Sequence, residues 1–238
     1  MSLGINLLPT TSKFCNFDCV YCECGWTDNS SNTKENLSDP STHIEKLVAK
    51  INLLQKQNQH IDTITFAGNG EPTLHPRFEK IILETLLVRN LFMPDAKVAV
   101  LSNATMLHKK SVVSALQKVD ICMFKLDAGS EGVFQKVNQP LGGLTLHQTV
   151  ERIKQFPFPP TIQSMFFRGT INGQLVDNTL PEELNTWIQL LIDICPKNVI
   201  LYSIDRPTPQ SNLEKIEHHE LAKIAKNLED IGINTSIA

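Results

Sequence analysis

Cys15-Asn16-Phe17-Asp18-Cys19-Val20-Tyr21-Cys22 sets three thiols within one short loop. A closed structural zinc site or a fully ligated iron–sulfur cluster takes four protein ligands. Three cysteines with no histidine nearby therefore leave one metal corner for another ligand. Thiolates are the soft donors that iron–sulfur clusters select, and the x3-x2 spacing lets a single loop wrap three corners of a cubane. The loop reads as a [4Fe–4S] site with Cys15, Cys19 and Cys22 as ligands. A structural zinc loop recruiting Cys24, and three thiols with no metal at all, are the competing readings.

Around this loop the composition is that of an ordinary globular chain. Its 238 residues, 41% of them hydrophobic, suffice for one sizeable core. Lys+Arg 22 against Asp+Glu 25 gives a net charge of −3, which provides no electrostatic footprint for nucleic acid or an anionic membrane and gives no reason to expect DNA, although a local basic patch stays open. Six cysteines, half of them in one loop, do not resemble a secreted disulfide framework, so a reducing compartment is expected. The opening Met1–Pro9 lacks the basic start of a signal peptide and no apolar run is long enough to span a bilayer; the expectation is a cytoplasmic protein.

Short β-rich runs alternate with stretches of helical periodicity, the pattern of βα units around a parallel sheet. Strands are expected near Ile5–Leu8, Thr63–Ala67, Lys97–Ser102, Ile121–Asp127, Ile162–Phe167 and Asn198–Ile204, with a short last one at Asn234–Ile237. Helices are expected near Thr42–Gln57, Pro76–Asn90, Lys109–Lys118, Leu144–Gln155, Pro181–Ile194 and Leu213–Ile231, several opened by Asp, Ser or Pro. Six βα units fit a curved, partly open (β/α)6 barrel. No repeat or Gly/Ser linker divides the chain, so residues 1–238 read as one domain, with the polar run Thr27–Asn36 as its long loop.

In barrels and open α/β sheets, sites gather at the carboxyl ends of strands. There the sequence places Phe66-Ala67-Gly68-Asn69-Gly70-Glu71-Pro72-Thr73, a glycine-rich turn that lets backbone approach a ligand closely or is an ordinary βα turn. Ser102 and Asn103, after the third strand, are ligand contacts or helix caps. Lys125 and Asp127 stand at i and i+2, on one side of an otherwise apolar strand, as cofactor or substrate contacts or as a structural ion pair with Glu71 or another residue. Val137–Pro140, Arg168, and Tyr202 with Asp205 and Arg206 fall at or beyond strand ends and are expected at a substrate rim, the arginines as carboxylate or phosphate clamps or simply as surface charge. Cys122 and Cys195 read as small buried hydrophobes, and no second cluster is expected.

The three-cysteine loop, with aromatic Tyr21 before its last cysteine, resembles that of the radical S-adenosylmethionine (SAM) enzymes. Gly70-Glu71-Pro72 is similar to their Gly-Gly-Glu-Pro segment, with Asn69 intervening after Gly68. The resemblance implies that SAM completes the open iron, that Tyr21, Gly68, Asn69, Gly70, Glu71, Ser102, Asn103 and Asp127 help to place it, and that a 5′-deoxyadenosyl radical follows. On that reading the strand-end residues Lys125 and Asp127 are the catalytic candidates, Arg168, Tyr202, Asp205 and Arg206 the substrate contacts, and a reductant such as flavodoxin or ferredoxin the partner. The opening Ser2–Pro9 together with Phe66–Thr73 resembles an iron–sulfur oxidoreductase group related to the wyosine-synthesis enzymes of tRNA, and so suggests a tRNA substrate. Two other readings stay open: an activating enzyme that acts on a glycine of a partner protein, and a non-catalytic iron–sulfur or zinc scaffold.

Overall fold

A computed structural model describes residues 1–27 and 37–238, so most of the expected loop Thr27–Asn36 lies outside the described residues. The chain gathers into two compact units, one of Met1–Cys15, Asp28–Ser102 and Met106–Met123, the other of Asn16–Thr27, Asn103–Thr105 and Phe124–Ala238.

In the first unit β1 (Ser2–Ile5), β2 (Thr63–Phe66) and β3 (Lys97–Ser102) are hydrogen-bonded in parallel in that order, with Ser2 opposite Thr63 and Thr63 opposite Lys97. Parallel neighbours need a crossover, which α1 (Pro40–Lys56) and α2 (Phe78–Phe92) supply. Helix α1 starts where the Asp39 carboxylate accepts from Ser41 N and Pro40 takes a first-turn position whose N–H would have had no partner. Ile64, Phe66, Val98 and Val100 of the strands are sealed from solvent, as are Ile51, Ile81 and Ile82 of the helices. Phe66 and Phe78 meet edge to face at 6.5 Å. Each such side chain contributes about 1.5–3 kcal/mol by leaving water.

Strand β3 leads through α3 (Lys110–Leu116) to β4 (Ile121–Lys125), whose last residues belong to the second unit. There α4 (Glu131–Val137) and α5 (Leu146–Lys154) precede β5 (Thr161–Ile171), which lies beside the end of β4 through Leu126 N to Gln163 O at 3.0 Å. Strand β6 (Gln174–Asp177), α6 (Pro181–Ile194), β7 (Asn198–Ser203), β8 (Leu213–Lys215), α7 (His218–Asp230) and β9 (Thr235–Ile237) follow. Strands β5, β7 and β9 are parallel neighbours, while β6 and β8 add antiparallel to the far end of β5. The fold is α/β with a parallel sheet that does not close on itself, the partial barrel expected from the alternation.

Several boundaries shift by one or two residues, helix α4 is an addition to the expected elements, and three departures are larger. Strand β1 ends at Ile5 because Asn6 turns the chain, its Oδ1 accepting from Leu8 N and Asn69 N, so Leu7 and Leu8 are buried from a loop. Strand β5 runs on to Ile171 and returns as β6 through Asn172-Gly173, both at positive φ, the hairpin signature that right-twisted strands prefer. Leu213–Lys215, expected to open the last helix, pairs with β5 instead, and α7 starts at His218 behind a Glu217/Glu220 capping box.

Candidate active site

The glycine turn has a tenant within its own unit. Phe14, immediately before Cys15, bridges to it, with Phe14 N donating to Asn69 O at 2.8 Å and Glu71 N donating to Phe14 O at 3.1 Å. A β-carbon on Gly70 would lie 1.9 Å from the Phe14 carbonyl oxygen, and one on Gly68 2.5 Å from the Asn6 side chain. The sequence therefore needs glycine twice so that β2 can hand over directly to the approach of the cysteine loop. Asn69 Nδ2 donates to Thr10 O at 3.2 Å, fastening the same segment. Glu71, 2% exposed, caps the short 3-10 turn Pro72–Leu74, and its Oε1 accepts from Thr73 N, from the Thr73 hydroxyl and from Ser102 Oγ at 2.8 Å.

In the second unit the loop from Asn16 is held at several points. Asp18 Oδ1 accepts from the backbone and hydroxyl of Thr27 at 2.8 and 2.7 Å. Cys22 N donates to Cys19 O at 3.0 Å, and Gly25 N to Cys22 O at 2.9 Å. Val137–Leu141 runs alongside: Val20 N donates to Val137 O, Asp18 N to Gln139 O and Leu141 N to Asn16 O, with Phe17 bridged to Pro140. Phe17 packs edge to face on Phe134 of α4 at 5.6 Å. The segment Val137–Pro140, expected at a rim, is thus a backbone splint for the cysteine loop. Asn103 behaves as a turn cap, its Oδ1 accepting from Thr105 N and Oγ1 while its Nδ2 donates to Asn16 Oδ1 at 2.8 Å.

Four residues singled out from sequence meet in one network with Cys19. Asp127, 3% exposed, accepts from the Tyr21 hydroxyl, from Asn138 Nδ2 at 2.7 Å and from Met165 N at 2.9 Å. Lys125 lies 3.8 Å from Asp127 and donates to the Tyr202 hydroxyl at 2.7 Å, with its ammonium 5.0 and 5.5 Å from the Tyr21 and Tyr202 ring centres. The ion pair anticipated for Lys125 and Asp127 is internal to the two. Burial pulls the Lys125 ammonium down, but Asp127 and Tyr202 outweigh it and hold the pKa above its usual value. Burial, reinforced by Asp127, pushes the Tyr21 phenol well up, so it stays a donor. Cys19, buried, is raised by desolvation and partly relieved by the Lys125 charge.

Sequence reading missed two asparagines here. Asn138 is 1% exposed and, besides Asp127, its Nδ2 reaches Cys19 Sγ and the Tyr21 oxygen, each at 3.4 Å. Asn178, 2% exposed, takes Phe167 N on its oxygen and gives its amide protons to the Asp127 and Met165 carbonyls. Both look like loop residues in sequence, and Asn138 was expected only as part of the substrate-rim segment Val137–Pro140.

The remaining candidates are engaged elsewhere. Arg168 contacts Asp177 at 3.4 Å and Glu220 at 2.6 Å, Arg206 donates to Glu23 at 2.7 Å, and Asp205 accepts from Lys215 at 3.0 Å. Cys122 donates to Leu116 O at 3.1 Å, and burial pushes its thiol up to about 12. Cys195, expected to be buried, is exposed, because it ends α6 at φ 52°, a left-handed cap that turns the residue away from the helix face.

All six cysteines are outside disulfides, and among the described residues no three His, Cys, Asp or Glu side chains are gathered as around a bound ion. The donor set nevertheless suits an iron–sulfur cluster: three soft thiols on one loop, an amide N–H directed at the Cys19 sulfur and a cation acting on it. No described helix is long and apolar enough to cross a membrane.

An open parallel α/β fold with such a loop defines a protein of radical SAM type. A family model described as the radical SAM superfamily matches residues 10–169, and the chain belongs to that superfamily. Within it the chain belongs with the UPF0026 proteins: it is 30% identical over 224 residues to UPF0026 protein slr1464 of Synechocystis sp., covering 92% of this chain and 76% of that one. It is 26% identical over 234 residues to UPF0026 protein MJ1312 of Methanocaldococcus jannaschii, covering 94% and 65%. It is also 29% identical over 237 residues to a protein named GTPase Obg from Brachyspira hyodysenteriae, covering 96% of this chain but 32% of that one. The chain thus spans about a third of one of these curated relatives and about two thirds of another. Among solved structures, a radical SAM methyltransferase from Sphaerobacter thermophilus superposes with TM-score 0.73 at 11% identity, over 100% of this chain and 65% of that one. TYW1 with a lysine-pyruvate adduct gives 0.65 at 17%, over 95% and 73%. The protein anSMEcpe with bound AdoMet gives 0.65 at 18%, over 99% and 63%. These likenesses concern the fold.

Proposed function

We propose that Cys15, Cys19 and Cys22 hold a [4Fe–4S] cluster whose open iron takes SAM, and that the protein uses the pair to start radical chemistry on a substrate. When bound, that pair would supply reductive cleavage of the sulfonium carbon–sulfur bond and a 5′-deoxyadenosyl radical able to take a hydrogen atom. The observation that carries the reading is Cys19: a buried thiol on a C-x3-C-x2-C loop, hydrogen-bonded by Asn138 and under the charge of Lys125, in a chain of this superfamily.

The chain's own residues would do the positioning. Lys125, kept protonated by Asp127 and Tyr202, offers a fixed positive charge beside the cysteine loop, and the Tyr21 hydroxyl is locked as a donor. For SAM we retain Gly68, Asn69, Gly70, Glu71, Ser102 and Asn103, with backbone groups of the turn carrying more of the contact than Glu71 Oε1, which already accepts three hydrogen bonds. A low-potential reductant such as flavodoxin or ferredoxin would deliver the electron. Kinship with the wyosine-synthesis group is the support for a tRNA substrate.

The test is 5′-deoxyadenosine formation from SAM by anaerobically reconstituted, dithionite-reduced protein, beside Cys19→Ala. Formation by the wild type, absent in the variant and accelerated by added tRNA, is the expected result. An intact cluster that never cleaves SAM, with or without tRNA, would make the protein a scaffold. Acceleration by a partner protein in place of tRNA would make it an activating enzyme.

A further inference from the structure

Asn138 lies opposite Cys19, with its Nδ2 3.4 Å from the Cys19 sulfur. It follows α4, between Val137, whose carbonyl accepts from Val20 N, and Gln139, whose carbonyl accepts from Asp18 N. Those two rungs flank Cys19 on the opposing segment, so Asn138 faces the cysteine across a backbone ladder. Its amide orientation is chemically fixed, because the atom 2.7 Å from the Asp127 carboxylate must be the donor Nδ2. One N–H of Nδ2 is thereby spent on Asp127, and the second is left for Cys19 Sγ and the Tyr21 oxygen at 3.4 Å each. The Tyr21 oxygen already gives its own proton to Asp127. Asn138 Oδ1 is buried with no partner among the described residues. A buried amide oxygen without a partner carries an uncompensated desolvation cost, so the position of Asn138 is not explained by packing alone.

We propose that Asn138 is a positioning residue that sets the reduction potential of the cluster held at the cysteine loop, by donating an N–H to the Cys19 sulfur and by tying that sulfur to the Asp127–Tyr21–Lys125 network. This rests on the reading of Cys15, Cys19 and Cys22 as cluster ligands. Reduction adds negative charge that is shared by the ligating sulfurs, so a donor at sulfur stabilises the reduced form and raises the potential. Removing it makes the cluster harder to reduce.

The experiment compares anaerobically reconstituted wild type, Asn138→Ala, Asn138→Ser and a control, Val150→Ala, in which a buried residue of α5 is truncated. Far-UV circular dichroism and iron content report folding and loading, and redox titration followed by electron paramagnetic resonance reports the potential. At a fixed potential the oxidised-to-reduced ratio is expected to rise about tenfold in Asn138→Ala, which is about 59 mV for one electron. Asn138→Ser, with a shorter donor, is expected to fall between, and Val150→Ala to match wild type. Loaded Asn138 variants with the wild-type ratio overturn the proposal, as does a shift of the same size in Val150→Ala. If both Asn138 variants fail to fold while Val150→Ala folds, the residue is a structural one and the proposal is wrong. A wild type that folds but takes no cluster overturns the reading of the cysteine loop itself, an outcome distinct from the others.

Discussion

A β-carbon at Gly70 would sit 1.9 Å from the Phe14 carbonyl oxygen, at a backbone φ of +139° that side-chain-bearing residues rarely adopt. The obstacle is backbone, so nothing flexible can swing aside. Gly70→Ala is expected to destabilise the protein by about 3 kcal/mol, combining strain and lost bridge hydrogen bonds. Gly132, on α4 with open space around its would-be β-carbon, is the contrasting case. Gly132→Ala is expected to stabilise by up to about 1 kcal/mol, by helix propensity. Urea unfolding of both variants checks the pair; equal effects would mean that the close approach of Phe14 does not govern Gly70. The sequence showed that this turn allows close approach, and it put Lys125 and Asp127 on one side of their strand through the i, i+2 spacing, but with Glu71 or another residue as the anticipated ion-pair partner. It did not show that the first occupant of the glycine turn is the chain itself. Nor did it show Asn138, because one asparagine in a loop has the same appearance whether it caps a turn or lies buried against a thiol.

Among elements, α6 shows how a helix is fixed to the strands by a few polar anchors. Trp187, 2% exposed, donates its indole N–H to Leu126 O at 3.1 Å and packs edge to face on Phe166 at 5.1 Å. One turn earlier, Glu183 takes Gly129 N and Ser130 N on a single oxygen at 2.6 and 3.1 Å. Helix α6 thereby fixes the exit of β4, where Asp127 must stay in reach of Tyr21 and Asn138. Trp187→Phe keeps the aromatic body and removes the N–H. It is expected to cost about 1–2 kcal/mol rather than more, because Ser164 Oγ still donates to Leu126 O at 2.5 Å. Thermal unfolding measures the loss, and a neutral substitution would show that the indole bond adds nothing to docking. The parallel strands and long helices were legible because hydrophobic period and start signals such as Pro181 agreed. The β5–β6 hairpin was not inferred although Asn172-Gly173 announces it, because an eleven-residue strand looks like a shorter one followed by loop. The short β8 has too few residues to show any period, and only its partner β5 makes it a strand.

For the molecule as a whole, a net charge of −3 spread over 238 residues says little about stability against pH, so the response falls to buried groups. His75 is the clearest of them. It is 3% exposed, its Nδ1 accepts from Arg77 N at 3.2 Å, and its Nε2 faces Ser38 O at 3.2 Å. That pattern requires the neutral ring with the proton on Nε2, since a proton on Nδ1 would break the bond from Arg77. Burial lowers the pKa of His75 below the ordinary 6.5; the Ser38 carbonyl and Asp39 oppose this and the Arg77 guanidinium adds to it. His43, edge-on at 5.8 Å, is lowered likewise by burial and by His75. A folded pKa below the unfolded one means that the unfolded chain binds more protons in the window beneath 6.5. The stabilisation is therefore complete above about pH 6.5 and is lost as the pH falls below it. Thermal unfolding of the cluster-free protein is expected to show the midpoint dropping as the pH falls below about 6.5. His75→Gln, which retains an amide donor and acceptor but cannot titrate, is expected to show a shallower drop even though its midpoint at pH 7 is lower. Identical slopes in the two proteins would assign the acid sensitivity to carboxylates instead, and would make His75 a bystander in the unfolding equilibrium.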